Sequence, residues 1–129
     1  MQLAVIEYAR NVCGLTKANS AEFKPDGAEN VIDIMESQKG ITDKGGTMRL
    51  GAYLCQILQK HAGKPTKAYQ AYGKEQVSER HRHRFEVSNA FRPKLEENGL
   101  LVCGKYVEKN TNVELVEMIE IPGNPWFVG

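Results

Sequence analysis

A run of eight residues near the middle of the chain has the types and spacing to do chemistry. Residues 79–86 read Glu-Arg-His-Arg-His-Arg-Phe-Glu. Successive side chains of an extended strand point to opposite faces, so the arginines would line one face and the histidines the other. Three guanidinium groups on one face repel one another unless an anion lies close by. The spacing therefore predicts a nearby negative charge, from a ligand or from the chain's own glutamates. The arginines are Arg80, Arg82 and Arg84; His81, His83 and Phe85 form the opposite face.

Three interpretations of this run remain open from its residues alone. It could be a solvated edge strand in which Glu79 and Glu86 pair with the arginines. It could bind a metal ion, because His-x-His on one strand face is a common ligand arrangement. No third ligand is apparent, since His61 lies 20 residues away in a polar segment and no carboxylate shares the spacing. It could bind nucleic acid, although a net charge of +1 and few interleaved aromatic residues argue against this.

Length and composition restrict the class of protein. A chain of 129 residues, 41% of them hydrophobic, can form one domain with a modest core. Its 17 basic and 16 acidic residues nearly cancel, which predicts no general attraction to nucleic acid or to a membrane surface. No stretch of about 18 apolar residues predicts a membrane span, and the amino end lacks signal-peptide features. Cys13, Cys55 and Cys103 are widely spaced, which predicts reduced core thiols in a cytoplasmic protein.

Apolar patterning predicts the elements that would position the basic run. Residues 1–13 have helical spacing, including Leu3 and Val12, and Gly14 is suited to end that helix. A second helix is predicted from a cap at Asn89 to about Glu97. Glu117 interrupts the apolar face of its predicted strand, and the sequence does not identify its partner. Strands are predicted at residues 31–35, 50–58, 100–107, 113–121 and 126–128, and a polar surface loop at 59–67.

Four blocks of the sequence resemble one protein family. Residues 79–86 are similar to the Glu-Arg-His-Arg-His-Arg-(Tyr/Phe)-Glu signature of the glutaminase domain of the CTP synthase family, a class I glutamine amidotransferase. Three further blocks match in the family's order and at compatible spacings, so that the resemblance spans almost the whole chain. It implies an α/β fold, a class I glutamine amidotransferase-like mixed sheet with flanking helices. These blocks are Ala-Asn-Ser-Ala-Glu-Phe at 18–23, Gly-Gly-Thr-Met-Arg-Leu-Gly at 45–51 and Asn-Pro-Trp-Phe-Val at 124–128.

The resemblance also implies a function in pyrimidine nucleotide biosynthesis. Glutaminase domains of this family hydrolyse L-glutamine and pass ammonia to a synthase domain of the same protein. That ligase domain uses ATP and Mg to convert UTP to CTP, GTP is an allosteric activator, and the intact cytoplasmic enzyme is a homotetramer. Neither nucleic acid nor a membrane is an expected partner. The alternative is a non-catalytic scaffold or binding protein derived from this domain.

The resemblance assigns roles to particular residues. Three residues would form the glutamine-binding side: Gln2 near the nucleophile turn, Glu22, which would receive the α-amino group of glutamine, and Arg84, which would bind its α-carboxylate. Arg80 and Arg82 are expected to make structural ion pairs, and no residue is expected to bind a metal. The lid beside the glutaminase site, on which GTP acts, would comprise Gly45, Gly46, Thr47, Met48, Arg49, Leu50 and Gly51.

The family's catalytic triad is expected outside residues 1–129. Its Gly-x-Cys-x-Gly turn would place the cysteine three residues before the position of Met1. Its Phe-His-Pro-Glu motif would place the histidine four residues after Gly129. The chain is therefore expected to be a partial glutamine amidotransferase domain, incomplete at both ends and inactive alone.

Overall fold

Three helices and nine strands make up the part of the chain that the computed structural model describes, residues 1–34 and 49–129. The helices are α1 (Gln2–Asn11), α2 (Lys67–Tyr72) and α3 (Arg92–Glu97). The first strands are β1 (Asn19–Ser20), β2 (Asn30–Ile34), β3 (Arg49–Ile57), β4 (Lys60–His61) and β5 (Lys64–Pro65). The later strands are β6 (Gln76–His83), β7 (Phe85–Val87), β8 (Leu101–Val107) and β9 (Glu114–Glu120). No helix in these ranges is long and apolar enough to cross a membrane.

The strands in these ranges form three sheets. The first has the order β1-β2-β7 and is mixed, because β1 runs parallel to β2 whereas β7 runs antiparallel to it. The second has the order β6-β3-β8-β9 and is antiparallel throughout. The third is the short β4-β5 hairpin, which occupies the segment predicted as a surface loop. The mixed α/β fold predicted from the resemblance is confirmed.

The chain passes from one large sheet to the other at Arg84. β6 ends at His83 and pairs with β3, whereas β7 begins at Phe85 and pairs with β2. The prediction of one strand over residues 79–86 is therefore wrong at its carboxyl end. Up to His83 the predicted alternation holds, with Arg80 and Arg82 exposed and His81 buried. At Arg84 the backbone bends, so this arginine does not continue the face of the other two.

Two apolar cores hold these elements together. One packs α1 and the first sheet together with β9 and includes Val5, Ile32 and Ile119; the other includes Cys55 and Cys103. All three cysteines are free and buried, as predicted. The helix predicted over residues 1–13 is confirmed as α1. Its apolar face is narrower than predicted, because Leu3 is 70% and Val12 51% exposed.

Two sequence predictions near the carboxyl end are wrong. Asn89 does not cap α3: its Nδ2 donates to the carbonyl oxygen of Glu114 at 2.9 Å, and the helix begins after Phe91. Asn89 therefore lies two residues before the N-cap position, which Phe91 occupies. Residues 126–128 do not form a strand beyond a single bridge between Val128 and Glu120, and Trp126 is 60% exposed.

Gly104 of β8 marks a close approach of two strands, which leads to a stability prediction. A Cβ at this position would lie 2.9 Å from the Cβ of Met118 and 3.0 Å from the Sγ of Cys55. We expect Gly104→Ala to lower the free energy of unfolding by about 1–3 kcal/mol, because backbone atoms would have to shift. Urea denaturation measures this. Ser78→Ala on the exposed face of β6 is the control, expected within about 0.5 kcal/mol of the parent, and an equally small effect of Gly104→Ala would contradict the prediction.

Candidate functional site

A polar cluster lies beside the bend at Arg84, where side chains from five strands converge. β3 contributes an arginine and a tyrosine, β6 two histidines, β7 a glutamate, β8 a second tyrosine and β9 a second glutamate. Most of these side chains are buried, so their charges must be compensated within the cluster. The polar cluster consists of Arg49, Tyr53, His81, His83, Glu86, Tyr106 and Glu117.

Arg49 is the centre of the polar cluster. Its Nη1 donates to Glu117 and lies 3.4 Å from the Oε1 of Glu86. Its guanidinium carbon lies 4.2 Å from the ring centroid of Tyr53 and 4.5 Å from that of Tyr106. Two aromatic faces and two carboxylates therefore surround a guanidinium that is only 5% exposed.

The structure identifies the partners of Glu117, which the sequence could not. One carboxylate oxygen accepts from Arg49, and the other lies 3.2 Å from the Nδ1 of His81. Two strands separate β9 from β6 in the second sheet. The sequence signal was a carboxylate on an otherwise apolar strand face, but nothing local could show that it faces β6.

The two histidines of β6 contact each other. The Nδ1 of His81 lies 2.9 Å from the Nε2 of His83. The Nδ1 of His83 lies 3.3 Å from both the carbonyl oxygen of Phe85 and the Oε1 of Glu86. These acceptors assign the proton of the His83 ring to Nδ1 and leave Nε2 as an acceptor. Burial lowers the pKa of His81, although Glu117 opposes this effect.

Glu86 completes the electrostatics of the cluster. Burial and, to a lesser extent, the neighbouring Glu117 raise its pKa, which reaches about 7 although Arg49 lowers it. The cluster thus sets two carboxyl groups against one guanidinium. The sequence showed no third ligand for the His-x-His pair, and the structure supplies a candidate, because Glu117 groups with both histidines.

The residues assigned to glutamine binding lie at one end of the first sheet. Ser20 of β1 pairs with Ile32, and Ile34 at the end of β2 pairs with Phe85. Glu22, two residues after β1, and Arg84, one before β7, therefore lie beyond the same end of the two outer strands of this sheet. The outer strands of three lie two spacings apart, about 10 Å. Side chains at this end can flank a small ligand, the usual ligand position in open α/β sheets.

Each of the three predicted residues has a distinct environment. Glu22 is exposed, and its backbone N–H donates to the Oγ of Ser20 at 3.2 Å. Arg84 is half-buried at the bend. Gln2 opens α1, and its Nε2 donates to the carbonyl oxygen of Phe85 at 3.3 Å. The structure thus brings Gln2 against the bend that carries Arg84.

The remaining predicted residues differ in outcome. Residues 45–48 of the predicted lid lie outside the described residues. Of its other members, Arg49 is buried in the polar cluster, Leu50 is 55% exposed and Gly51 has a φ of +112°. The prediction that Arg80 and Arg82 form structural ion pairs is wrong within the part of the chain that the structure describes, where both are exposed to solvent.

The chain is similar to known proteins in both sequence and structure. No model of a protein family matches the sequence. CTP synthase from Geobacter metallireducens is 55% identical over 129 residues, and that from Symbiobacterium thermophilum is 55% identical over 130 residues. Each alignment covers 100% of this chain and 22% of the relative. A solved structure, the Trypanosoma brucei CTPS glutaminase domain with bound acivicin, matches with a TM-score of 0.84 and 34% identity. That match covers 99% of this chain and 47% of the solved one.

These similarities define the class of protein to which the chain belongs. Its mixed α/β fold is that of a glutaminase domain, of which it represents a part. The chain is homologous to CTP synthase and spans about a fifth of the length of the relatives named above. The resemblance drawn from the four sequence blocks is therefore confirmed.

Proposed function

We propose that this chain supplies the glutamine-binding side of a CTP synthase glutaminase domain. The observation that carries the proposal is the placement of Glu22 and Arg84, opposite in charge, beyond the same end of β1-β2-β7. Free glutamine has a cationic α-amino group and an anionic α-carboxylate, so a site that selects it needs both charges. Homology to CTP synthase supports the same conclusion.

In this proposal each residue has one role. Arg84 binds the α-carboxylate, for which the guanidinium geometry permits two parallel hydrogen bonds. Glu22 accepts from the α-amino group. Gln2 holds the start of α1 against Phe85 and so maintains the position of the bend.

The hydrolysis step requires a thiolate that the chain's own cysteines are poorly suited to provide. Cys13, Cys55 and Cys103 are all buried, and burial raises the pKa of each thiol, that of Cys55 to about 11. A thiol with a raised pKa is a poor nucleophile at neutral pH. The proposal therefore assigns the catalytic cysteine, its histidine base and the supporting glutamate to flanking segments of a CTP synthase.

The proposal extends to the reaction, nucleotides and assembly of the intact enzyme. Ammonia released from L-glutamine would pass to a synthase domain, where ATP and Mg²⁺ support conversion of UTP to CTP in a cytoplasmic homotetramer. GTP would activate the glutaminase through the lid at residues 45–51. Arg49 would contribute to that lid by fixing its carboxyl end in the polar cluster, since its side chain is buried there.

A chimera tests the proposal, with this chain replacing the matching segment of Geobacter metallireducens CTP synthase. The flanking segments then supply the catalytic groups. We expect the chimera to make CTP with either glutamine or ammonia as nitrogen source. We expect Glu22→Gln to raise the KM for glutamine about tenfold or more, because a charge-assisted contact is lost, and to leave ammonia-driven synthesis unchanged.

Asp26→Asn is the matched control, because Asp26 is also an exposed acid in the turn that follows β1. It should leave the KM for glutamine at the parent value. An unchanged KM in Glu22→Gln, or an equal increase in Asp26→Asn, would contradict the assignment of Glu22. A chimera active with ammonia but not with glutamine would favour the alternative of a non-catalytic scaffold.

A further inference from the structure

Three side chains of the polar cluster each direct one metal-ligating atom toward a common point. The three residues are His81, His83 and Glu117, and their ligand atoms all lie within 4.8 Å of one another. We propose that they form a binding site for a divalent transition-metal ion, with Zn²⁺ as the best match. This inference is independent of glutamine binding.

The ligand atoms lie slightly closer together than the ligands of a tetrahedral ion. With metal–nitrogen and metal–oxygen bonds of about 2.0–2.2 Å, neighbouring ligands of a tetrahedron lie about 3.3–3.6 Å apart. In the structure, the Nδ1 of His81 lies 2.9 Å from the Nε2 of His83 and 3.2 Å from the Oε2 of Glu117. Movements of the ligand atoms by a few tenths of an ångström would therefore make room for the ion.

Neighbouring groups orient His83 for this role. Its Nδ1 lies 3.3 Å from both the Oε1 of Glu86 and the carbonyl oxygen of Phe85. A histidine that donates from one ring nitrogen to a carboxylate or carbonyl oxygen presents the other to a metal as a lone pair. The nitrogen presented here is Nε2, which faces His81.

The charges of the polar cluster and its access to solvent also favour binding of a cation. Glu86 and Glu117 supply two buried carboxylates against the single guanidinium of Arg49. The Oε2 of Glu86 is buried and has no hydrogen-bond partner among residues 1–34 and 49–129. Glu117 uses Oε1 for Arg49 and keeps Oε2 for the ion. The side chain of His83 is 30% exposed, which gives an ion access. Three protein ligands leave a fourth position for water.

Titration of the 129-residue chain with Zn²⁺ against a chromophoric chelator tests this proposal. We expect one equivalent to bind, and a higher Tm with Zn²⁺ that EDTA reverses. His83→Gln should weaken binding at least about tenfold. His61→Gln is the matched control: His61 is exposed on β4, outside the cluster, and its loss should leave the affinity unchanged. No binding at one equivalent, or equal weakening in both variants, would overturn the site.

Co²⁺ supplies a second measurement that does not depend on the variants folding. A four-coordinate site of nitrogen and oxygen ligands should give intense visible absorption bands and no thiolate charge-transfer band. Weak six-coordinate bands, or a thiolate band that indicates cysteine ligands, would contradict the assignment. If the chain does not fold alone, the same Zn²⁺ and Co²⁺ titrations of the chimera, compared with its His83→Gln form, decide the question by the same criteria.

Discussion

Arg84→Ala in the chimera should raise the KM for glutamine about ten- to a hundredfold. The guanidinium is proposed to bind the substrate α-carboxylate, and a hydrogen bond to a charged group contributes about 1.5–3 kcal/mol. Ammonia enters without occupying the glutamine site, so ammonia-driven CTP synthesis should stay near the parent rate. Steady-state assays with each nitrogen source measure both effects.

Arg82→Ala is the control for this prediction. Arg82 lies two residues away but is exposed on the outer face of β6, before the bend. Its removal should change neither KM nor rate appreciably. Equal losses with glutamine and ammonia in Arg84→Ala would mean that Arg84 supports the fold, and the site assignment would then be wrong.

Glu117→Ala should destabilise the chain more than any other single change considered above. Removing one partner of a buried ion pair leaves the other charge uncompensated, which typically costs about 3–5 kcal/mol. Here the guanidinium of Arg49, whose side chain is 4% exposed, would keep only its 3.4 Å contact with Glu86, so we expect a cost toward the lower end of this range. Urea denaturation in the presence of EDTA measures the free energy of unfolding without a contribution from bound metal.

Glu114→Ala provides a comparison on the same strand. Glu114 pairs with Arg92 and Lys105, but its side chain is 34% exposed, and such partly exposed pairs contribute about 0–1 kcal/mol. The two variants should therefore differ by several kcal/mol. Similar stabilities would show that the polar cluster is better hydrated than the structure indicates.

The sequence predicted the elements well wherever local patterns determine them. Helical spacing located α1, and alternation located β9 with Glu117 as its exception. The four blocks identified the family. The bend at Arg84 was missed because the alternation of arginine and histidine continues through it, without the glycine or proline that would mark a break.

The polar cluster could not be predicted, because its contacts join residues far apart in the chain. Arg49 and Glu117 are 68 positions apart, and their meeting depends on how the second sheet brings β9 toward β6. For the same reason the sequence could not predict the position of the Arg49 side chain, and the family resemblance assigned this residue to a lid. Only the folded structure shows that its side chain points inward, between two tyrosine rings.

The bend at Arg84 makes one backbone position the junction of two structural units. Its flanking residues belong to different sheets: His83 to the second, with the polar cluster, and Phe85 to the first, with α1. A shift in either unit would be transmitted to the direction of the Arg84 side chain. Residues that do not contact the ligand themselves, such as Gln2 and Glu86, would therefore help to determine how well Arg84 binds it. In contrast, Arg80 and Arg82, in the same run, would be free to vary.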